Sequence, residues 1–414
     1  MPAEVSHRKA LMLCYYYPPL ATSGVVRSVG FARMLSRFGW EPLILTVKDA
    51  RDVNVHRGSD VPGGVEVVRT RELNLEAIVN FLQGAGNRFM RLFGSELRDR
   101  FFRETMAIPD TQIAWASWPR GIRLARSCAV VYASCSPFSS ALSGCIIKHA
   151  TGRPLVLDFR DAWTVNPHAT HFRFHQRAIE ALERRVFAAA DCIILNTDGA
   201  RAVYARRYPA YARKMTVIPN GYDTLNQAYP HEPVREPFRI VHVGAFYGTR
   251  TPDQLLDVLE RFEGDTEFIQ VGSSHPSLQR RSSARVRVIP QMKHADALSL
   301  MRTASLLYLR QGWETGVTDY IAVAAKTYEY LATGLPILAH CPPGDNAELV
   351  RQYAANSYVV TSDEGCELEE AVRAAYDNRF TFAPHVSQQF AETFDRSALT
   401  RRLADVFDRV STRR

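Results

Sequence analysis

The strongest constraint on how this chain folds is a rhythm that runs twice along it. Short β-branched and aromatic runs alternate with apolar residues at helical spacing, once up to about residue 220 and again from residue 239. In the first series the pattern predicts strands at Leu11–Tyr16, Glu41–Val47, Val65–Thr70, Ala129–Ser134, Pro154–Phe159, Asp191–Asn196 and Met215–Pro219, with helices at Gly24–Phe38 and Ala178–Ala190. The second predicts strands at Arg239–Val243, Glu267–Val271, Arg285–Ile289, Ser305–Leu309, Pro336–Ala339 and Ser357–Val360. Its helices fall near Pro252–Phe262, His294–Thr303, Ala324–Thr333, Ala347–Tyr353 and Leu368–Tyr376, and one long final helix covers about Ser387–Val410. Between the two series, Asn226–Pro237 carries Pro230, Pro233 and Pro237 and reads as a linker. Strands alternating with helices predict an α/β fold with two Rossmann-like domains, each a parallel sheet wrapped on both faces.

Composition narrows the class. The chain has 414 residues, 46% hydrophobic and 23% charged, which suits a folded two-domain protein and excludes disorder or a small disulfide scaffold. No apolar run approaches the roughly 20 residues that span a bilayer, and Met1–Lys9 lacks the apolar core of a secretory signal. Seven scattered cysteines with no Cys-x-x-Cys pair suit a reduced, cytoplasmic chain. The charge is uneven: residues 1–225 hold 30 Lys and Arg against 19 Asp and Glu, and residues 226–414 hold 21 against 24. The basic half is expected to meet something anionic.

Several common signatures are absent: Gly-x-Gly-x-x-Gly, the P-loop, the Gly-x-Ser-x-Gly elbow, and an Asp-x-Asp pair that would hold a metal against a diphosphate. No nucleic-acid module can be placed, so no nucleic-acid partner is expected. His168, His171 and His175 share helical spacing, but no carboxylate or cysteine completes a metal set.

Five segments could carry chemistry. Pro18-Pro19-Leu20-Ala21-Thr22-Ser23-Gly24 leaves a strand and opens a helix, where free N–H groups and the helix dipole favour an anion, and Arg27 stands one turn in. The alternative is an ordinary tight loop. Leu157-Asp158-Phe159-Arg160-Asp161-Ala162-Trp163 places two carboxylates and a guanidinium at a strand's carboxyl end, where α/β sheets bind ligands. Its alternative is an internal ion pair. Ile218-Pro219-Asn220-Gly221-Tyr222-Asp223 carries a strong turn signal and reads mainly as structural. Gly244-Ala245-Phe246-Tyr247-Gly248-Thr249-Arg250 follows the first strand of the second series. Gly244 stands where a phosphate-loop glycine would, and Arg250 offers a fork of donors for a diphosphate. Lys326-Thr327-Tyr328-Glu329-Tyr330-Leu331-Ala332-Thr333-Gly334-Leu335-Pro336 puts Lys326 and Glu329 on one helix face. A carboxylate there can accept a ribose diol while the ammonium neutralises phosphate. The alternative is an intrahelical ion pair.

In order along the chain, PPLATSGVVR, LDFRDAW, VIPNGYD, VGAFYGTR and KTYEYLATGLPILA resemble glycosyltransferase family 4, the retaining nucleotide-sugar enzymes of the GT-B fold. The resemblance implies an acceptor-binding domain over residues 1–225, a donor-binding domain over 226–386, and a helix at 387–414 that packs back on the first domain. It implies Arg250 and Lys326 on the donor diphosphate, Glu329 on the ribose, and Gly24 and Gly244 beside the diphosphate, with no metal or other cofactor. Arg160 and Asp161 stand where many relatives carry a histidine, so they are expected at the reacting centre. The first carboxylate of the family's Glu-x7-Glu pair is replaced by Ile321, and Glu314 or Asp319 could substitute. The acceptor implied is a glycan or lipid-linked glycan in polysaccharide, lipopolysaccharide or other glycoconjugate synthesis. The basic amphipathic segment Phe81–Arg103, with Arg88, Arg91 and Arg98, suits an anionic membrane surface such as the inner face of the plasma membrane. The alternative is that its apolar residues pack on the sheet and its arginines face water. Two rival readings share the fold: a nucleotide-sugar epimerase and a non-catalytic nucleotide-sugar-binding subunit.

Overall fold

The computed structural model describes residues 8–20, 23–48, 60–72, 108–115, 117–165, 173–223, 233–273, 275–281, 285–314, 317, 319–363 and 365–412. Two compact units divide the chain: one of residues 1–196, 200–218 and 400–414, the other of residues 197–199 and 219–399.

The first unit is built on seven strands: β1 (Arg8–Leu13), β2 (Trp40–Val47), β3 (Glu66–Thr70), β4 (Val130–Cys135), β5 (Leu155–Phe159), β6 (Cys192–Leu195) and β7 (Met215–Val217). They lie in the order β3-β2-β1-β4-β5-β6-β7, all paired in parallel. A parallel sheet covered on both faces needs unbroken apolar strands, and the four residues Ala10–Leu13 of β1 are fully buried. The second unit has β8 (Phe238–Val243), β9 (Thr266–Val271), β10 (Val286–Ile289), β11 (Leu306–Arg310), β12 (Ile337–His340) and β13 (Ser357–Val360), in the order β10-β9-β8-β11-β12-β13. Successive side chains of a strand face opposite ways. Val241, Leu307 and Leu309 therefore enter one apolar cluster, and Ile240, Leu306 and Tyr308 enter the other.

Both sheets reverse their strand order beside their first strand, between β1 and β4 and between β8 and β11. In open α/β sheets ligands bind at such a switch point, beyond the strands' carboxyl ends.

Among the described residues, four α-helices go beyond the sequence pattern: Trp118–Ala125, Ser139–Thr151, Asp198–Arg207 and the short Pro276–Arg280. One expectation is corrected. The long final helix is two helices, Gln388–Phe394 and Arg396–Ser411, separated at Asp395. Asp395 has extended backbone (φ −59°, ψ 140°) and its carboxylate accepts from Ser397 N–H at 2.8 Å, as an N-cap does. The Arg396 N–H meanwhile bonds the Tyr222 carbonyl at 2.9 Å. The residues from 400 onward belong to the first unit, where Phe407 packs edge-on against Trp40 (ring centroids 5.2 Å apart) and Arg402 donates to the Val217 carbonyl at 2.5 Å. Most of the proposed linker 226–237 lies outside the described residues, as does the whole of Phe81–Arg103.

Candidate functional site

In the second unit, three pieces of backbone meet at the switch point: the loop after β8, the exit of β11, and the helix Ala325–Thr333. That helix buries Thr327, Tyr328, Tyr330 and Leu331, a stripe at helical spacing, and leaves Lys326 and Glu329 on another face. Its position is fixed by two polar ties. The Tyr330 hydroxyl accepts the Val243 N–H at 2.9 Å, and the Thr327 hydroxyl donates to Asn346 at 2.7 Å. The first tie joins the helix to the last residue of β8 and so brings Lys326 to Gly244.

The fit at Gly244 is close. Its φ is +128°, and a Cβ there would lie 2.4 Å from Lys326 Nζ. Only glycine satisfies both the dihedral and the space. Lys326 Nζ is 3.3 Å from Nε2 of His242. The other ring nitrogen, Nδ1, lies 2.9 Å from the Tyr308 carbonyl and must donate to it, so Nε2 presents its lone pair to the ammonium. His242 is buried and stacked on Phe246, with ring centroids 4.1 Å apart. Burial first, then the charge of Lys326, holds His242 well below its ordinary pKa.

Lys326 is itself pulled down to about 7, first by burial and then by the neighbouring charge of Arg250, with Glu329 opposing. The Arg250 guanidinium donates to the Tyr247 hydroxyl at 2.6 Å and lies 4.9 Å from that exposed ring's centroid. Among the described residues, neither cation has a carboxylate within ion-pair distance. The intrahelical pair weighed for Lys326 and Glu329 does not form. Glu329 instead accepts from His294 Nε2 at 2.6 Å, and that bond raises the His294 pKa against the opposing effect of burial. Glu314 accepts from the Thr249 hydroxyl at 2.6 Å, on the same loop as Arg250, and Ile321 is buried.

In the first unit, Gly24 and Arg160 come together. A Cβ on Gly24 would lie 2.2 Å from Arg160 Nη1, so the guanidinium rests directly on the glycine near the start of the helix Ser23–Met34. Arg160 Nη2 donates to the Ser136 carbonyl at 2.6 Å, and its Nε is buried without a partner among the described residues. Asp161 is exposed at the surface. Asp158 has a structural part: Arg27 grips it through Nε at 2.7 Å and Nη2 at 2.9 Å, and the Tyr132 hydroxyl donates to the same carboxylate. All three side chains are buried. The internal ion pair weighed for this segment therefore exists, but between Asp158 and Arg27 and without Arg160.

The Asn220-Gly221-Tyr222-Asp223 turn is an anchor. Buried Arg396 donates to the Asn220 carbonyl and, at 3.3 Å, to Asp223. His175 is buried, and His168 and His171 lie outside the described residues. Sequence reasoning missed His242 and His294. Both look like ordinary helix or strand residues until the chain folds, and the only signal for His242 was its position two residues before Gly244.

Two tandem parallel sheets, both reversing strand order beside their first strand, define a two-domain α/β protein of the GT-B fold. Residues 24–221 match the family described as glycosyl transferase 4-like domain. Known structures agree on the fold. Anabaena HepE in complex with UDP-glucose is 15% identical, with 97% of this chain and 100% of that one covered, at a TM-score of 0.64. Sucrose-phosphate synthase from Thermosynechococcus elongatus is 13% identical over 97% and 99% of the two chains, with a TM-score of 0.66. A glycosyltransferase from Rickettsia africae is 10% identical over 99% and 100%, with a TM-score of 0.64. No curated protein sequence matches the chain.

Proposed function

We propose that the protein is a retaining, metal-independent glycosyltransferase that moves a sugar from a nucleoside diphosphate donor to a hydroxyl of a glycan or lipid-linked glycan. One observation carries this reading: Lys326 fills the space that Gly244 leaves and feels the charge of Arg250, and among the described residues neither cation has a carboxylate within ion-pair distance. Two cations without an ion-pair partner at a switch point form a site for a dianion, and the pKa of Lys326 is depressed first by burial and then by the charge of Arg250. A diphosphate relieves the repulsion between them.

The chemistry follows from where charge grows. As the glycosidic bond breaks, the leaving nucleoside diphosphate gains negative charge, which Lys326 and Arg250 stabilise in place. The departing phosphate oxygen accepts the proton of the incoming acceptor hydroxyl, on the face of the sugar it has just left, so configuration is retained. Glu329 takes the ribose hydroxyls once it parts from His294. In the first unit Arg160, seated on Gly24, meets the reacting groups, with Asp161 beside it in the chain. The neighbour HepE was captured with UDP-glucose, which makes a UDP-sugar the first donor to test. The basic half of the chain suits an acceptor on an anionic cytoplasmic membrane surface, and among the described residues no helix is long and apolar enough to cross a membrane.

A thermal-shift panel of UDP-, GDP-, ADP- and TDP-sugars tests the donor site, because a ligand of the folded state raises Tm by mass action. One donor class should stabilise the protein and be turned over with EDTA present. A flat panel overturns the reading, and activity lost to EDTA and restored by Mn²⁺ overturns metal independence. Turnover of the donor without any acceptor would mark an epimerase. Co-sedimentation with anionic liposomes that weakens with salt tests the membrane surface.

A further inference from the structure

We propose that Arg310 is a positioning residue that clamps the backbone on both sides of Arg250 and so sets where that guanidinium meets a diphosphate. The proposal rests on the donor-site reading above and deepens it.

Arg310 ends β11 and is only 6% exposed. A guanidinium so far from water must place its donors on the protein. Nε reaches the Thr251 carbonyl at 3.3 Å and Nη2 the Thr249 carbonyl at 3.4 Å, so Arg310 holds the residues on either side of Arg250. Nη1 donates to the Gln311 carbonyl at 2.8 Å, and Nη2 is also 3.4 Å from Gln254 Oε1. The Asp363 carboxylate stands 3.5 Å from Nη2, and the Trp313 ring lies 4.9 Å from the guanidinium carbon. Gln254 closes the arrangement by donating to the Asp363 carbonyl at 2.8 Å. One planar cation thus ties together the loops that leave β8, β11 and β13.

The loop needs such a tie. Tyr247, Gly248 and Thr249 are exposed, so little burial holds the backbone that presents Arg250. Thr249 is also fixed from the β11 side: its hydroxyl donates to Glu314, and a Cβ on Gly312 would sit 2.0 Å from that oxygen. Arg310 lies beneath the loop and Arg250 stands on it, so Arg310 acts through Arg250. Lysine would keep the charge but lose the fork that spans two carbonyls.

The test takes the nucleoside diphosphate that most stabilises the wild type and its own monophosphate, and measures both by calorimetry on four proteins: wild type, Arg310→Lys, Arg250→Ala and the double variant. Arg310→Lys should weaken the diphosphate about tenfold, the scale of one charge-assisted contact, and change the monophosphate by less than about twofold. In the Arg250→Ala background it should have no further effect on the diphosphate. Equal losses for the two ligands, or additive losses in the double variant, overturn the proposal. Hydrogen exchange of residues 244–251 should rise in Arg310→Lys while β8 and β11 keep their protection. A general rise marks a folding role and also overturns it. A wild type with no preference for diphosphate over monophosphate would instead overturn the donor-site reading itself.

Discussion

The strand exits at 157–163 and 244–250 look alike in sequence, since each sets charged residues beyond the carboxyl end of a strand, yet they handle charge in opposite ways. In the first unit the buried charge is spent internally. Arg27 and Asp158 close a two-bond pair that is 2% and 0% exposed, with Tyr132 adding a third bond. In the second unit Lys326 and Arg250 face each other's repulsion with a neutral histidine and a tyrosine as partners. A satisfied buried pair holds a fold in register, whereas an unsatisfied pair of like charges costs stability until a ligand arrives. The contrast separates scaffold from site.

Breaking the scaffold pair should have the largest effect. Asp158→Ala leaves Arg27 as an uncompensated buried cation, and denaturant unfolding should show a loss of about 3–5 kcal/mol. A loss below about 1 kcal/mol would erase the contrast. On the other side, Arg250→Ala, Lys326→Ala and Glu329→Ala should each weaken the donor by roughly 1.5–3 kcal/mol. Turnover should fall at least about tenfold while the unfolding midpoint stays within a few degrees of wild type. Destabilisation like that of Asp158→Ala would make these residues scaffold too.

A smaller effect carries a definite sign. An ordinary lysine titrates at 10.5 and Lys326 at about 7. Between those values the unfolded chain holds a proton that the folded chain lacks, so this group makes stability rise with pH across that window. Lys326→Met should remove the rise and raise Tm most at pH 7 and below, measured without donor. Donor affinity in the wild type should fall as pH climbs above about 7, because the diphosphate needs Lys326 charged. Unchanged Tm profiles in Lys326→Met would show that burial does not shift this lysine.

The smallest effect concerns His294. Its pKa is raised by the bond to Glu329, so that bond adds stability below the ordinary histidine value of 6.5 and loses it as pH rises past the folded value. His294→Gln should therefore cost up to about 1 kcal/mol at pH 5.5 and almost nothing at pH 8.5, as an exposed charged contact does. Equal costs at both values would show that the contact does not depend on the imidazolium charge.

Particular elements show what a linear reading reaches. The strands were legible because buried parallel strands are continuous apolar runs, and Ser357–Val360 agrees to the residue. The helix Ser139–Thr151 was not: Ser139, Ser140, Ser143 and Gly144 have weak helix propensity, and packing chooses the helix instead. A Cβ on Gly144 would lie 2.8 Å from Leu155, a closeness no periodicity reveals. The break at Asp395 was hidden for the same reason. Helical spacing runs on through Phe390, Phe394, Leu399 and Leu403, and it is interrupted by the Tyr222 carbonyl taking the Arg396 N–H and by Asp395 capping Ser397.

By itself the sequence determined the α/β class, the twofold strand-and-helix rhythm, and which charged residues stand at strand exits and on one helix face. Those follow from periodicity and turn chemistry, which are local. Only the tertiary structure decided which charges cancel. Arg27 finds Asp158 across 131 positions and Glu329 finds His294 across 35, while Lys326, three residues from Glu329, bonds His242 instead. Ion pairing depends on a few ångströms of separation and on exclusion of water, and both are set by the packing of distant elements rather than by spacing along the chain.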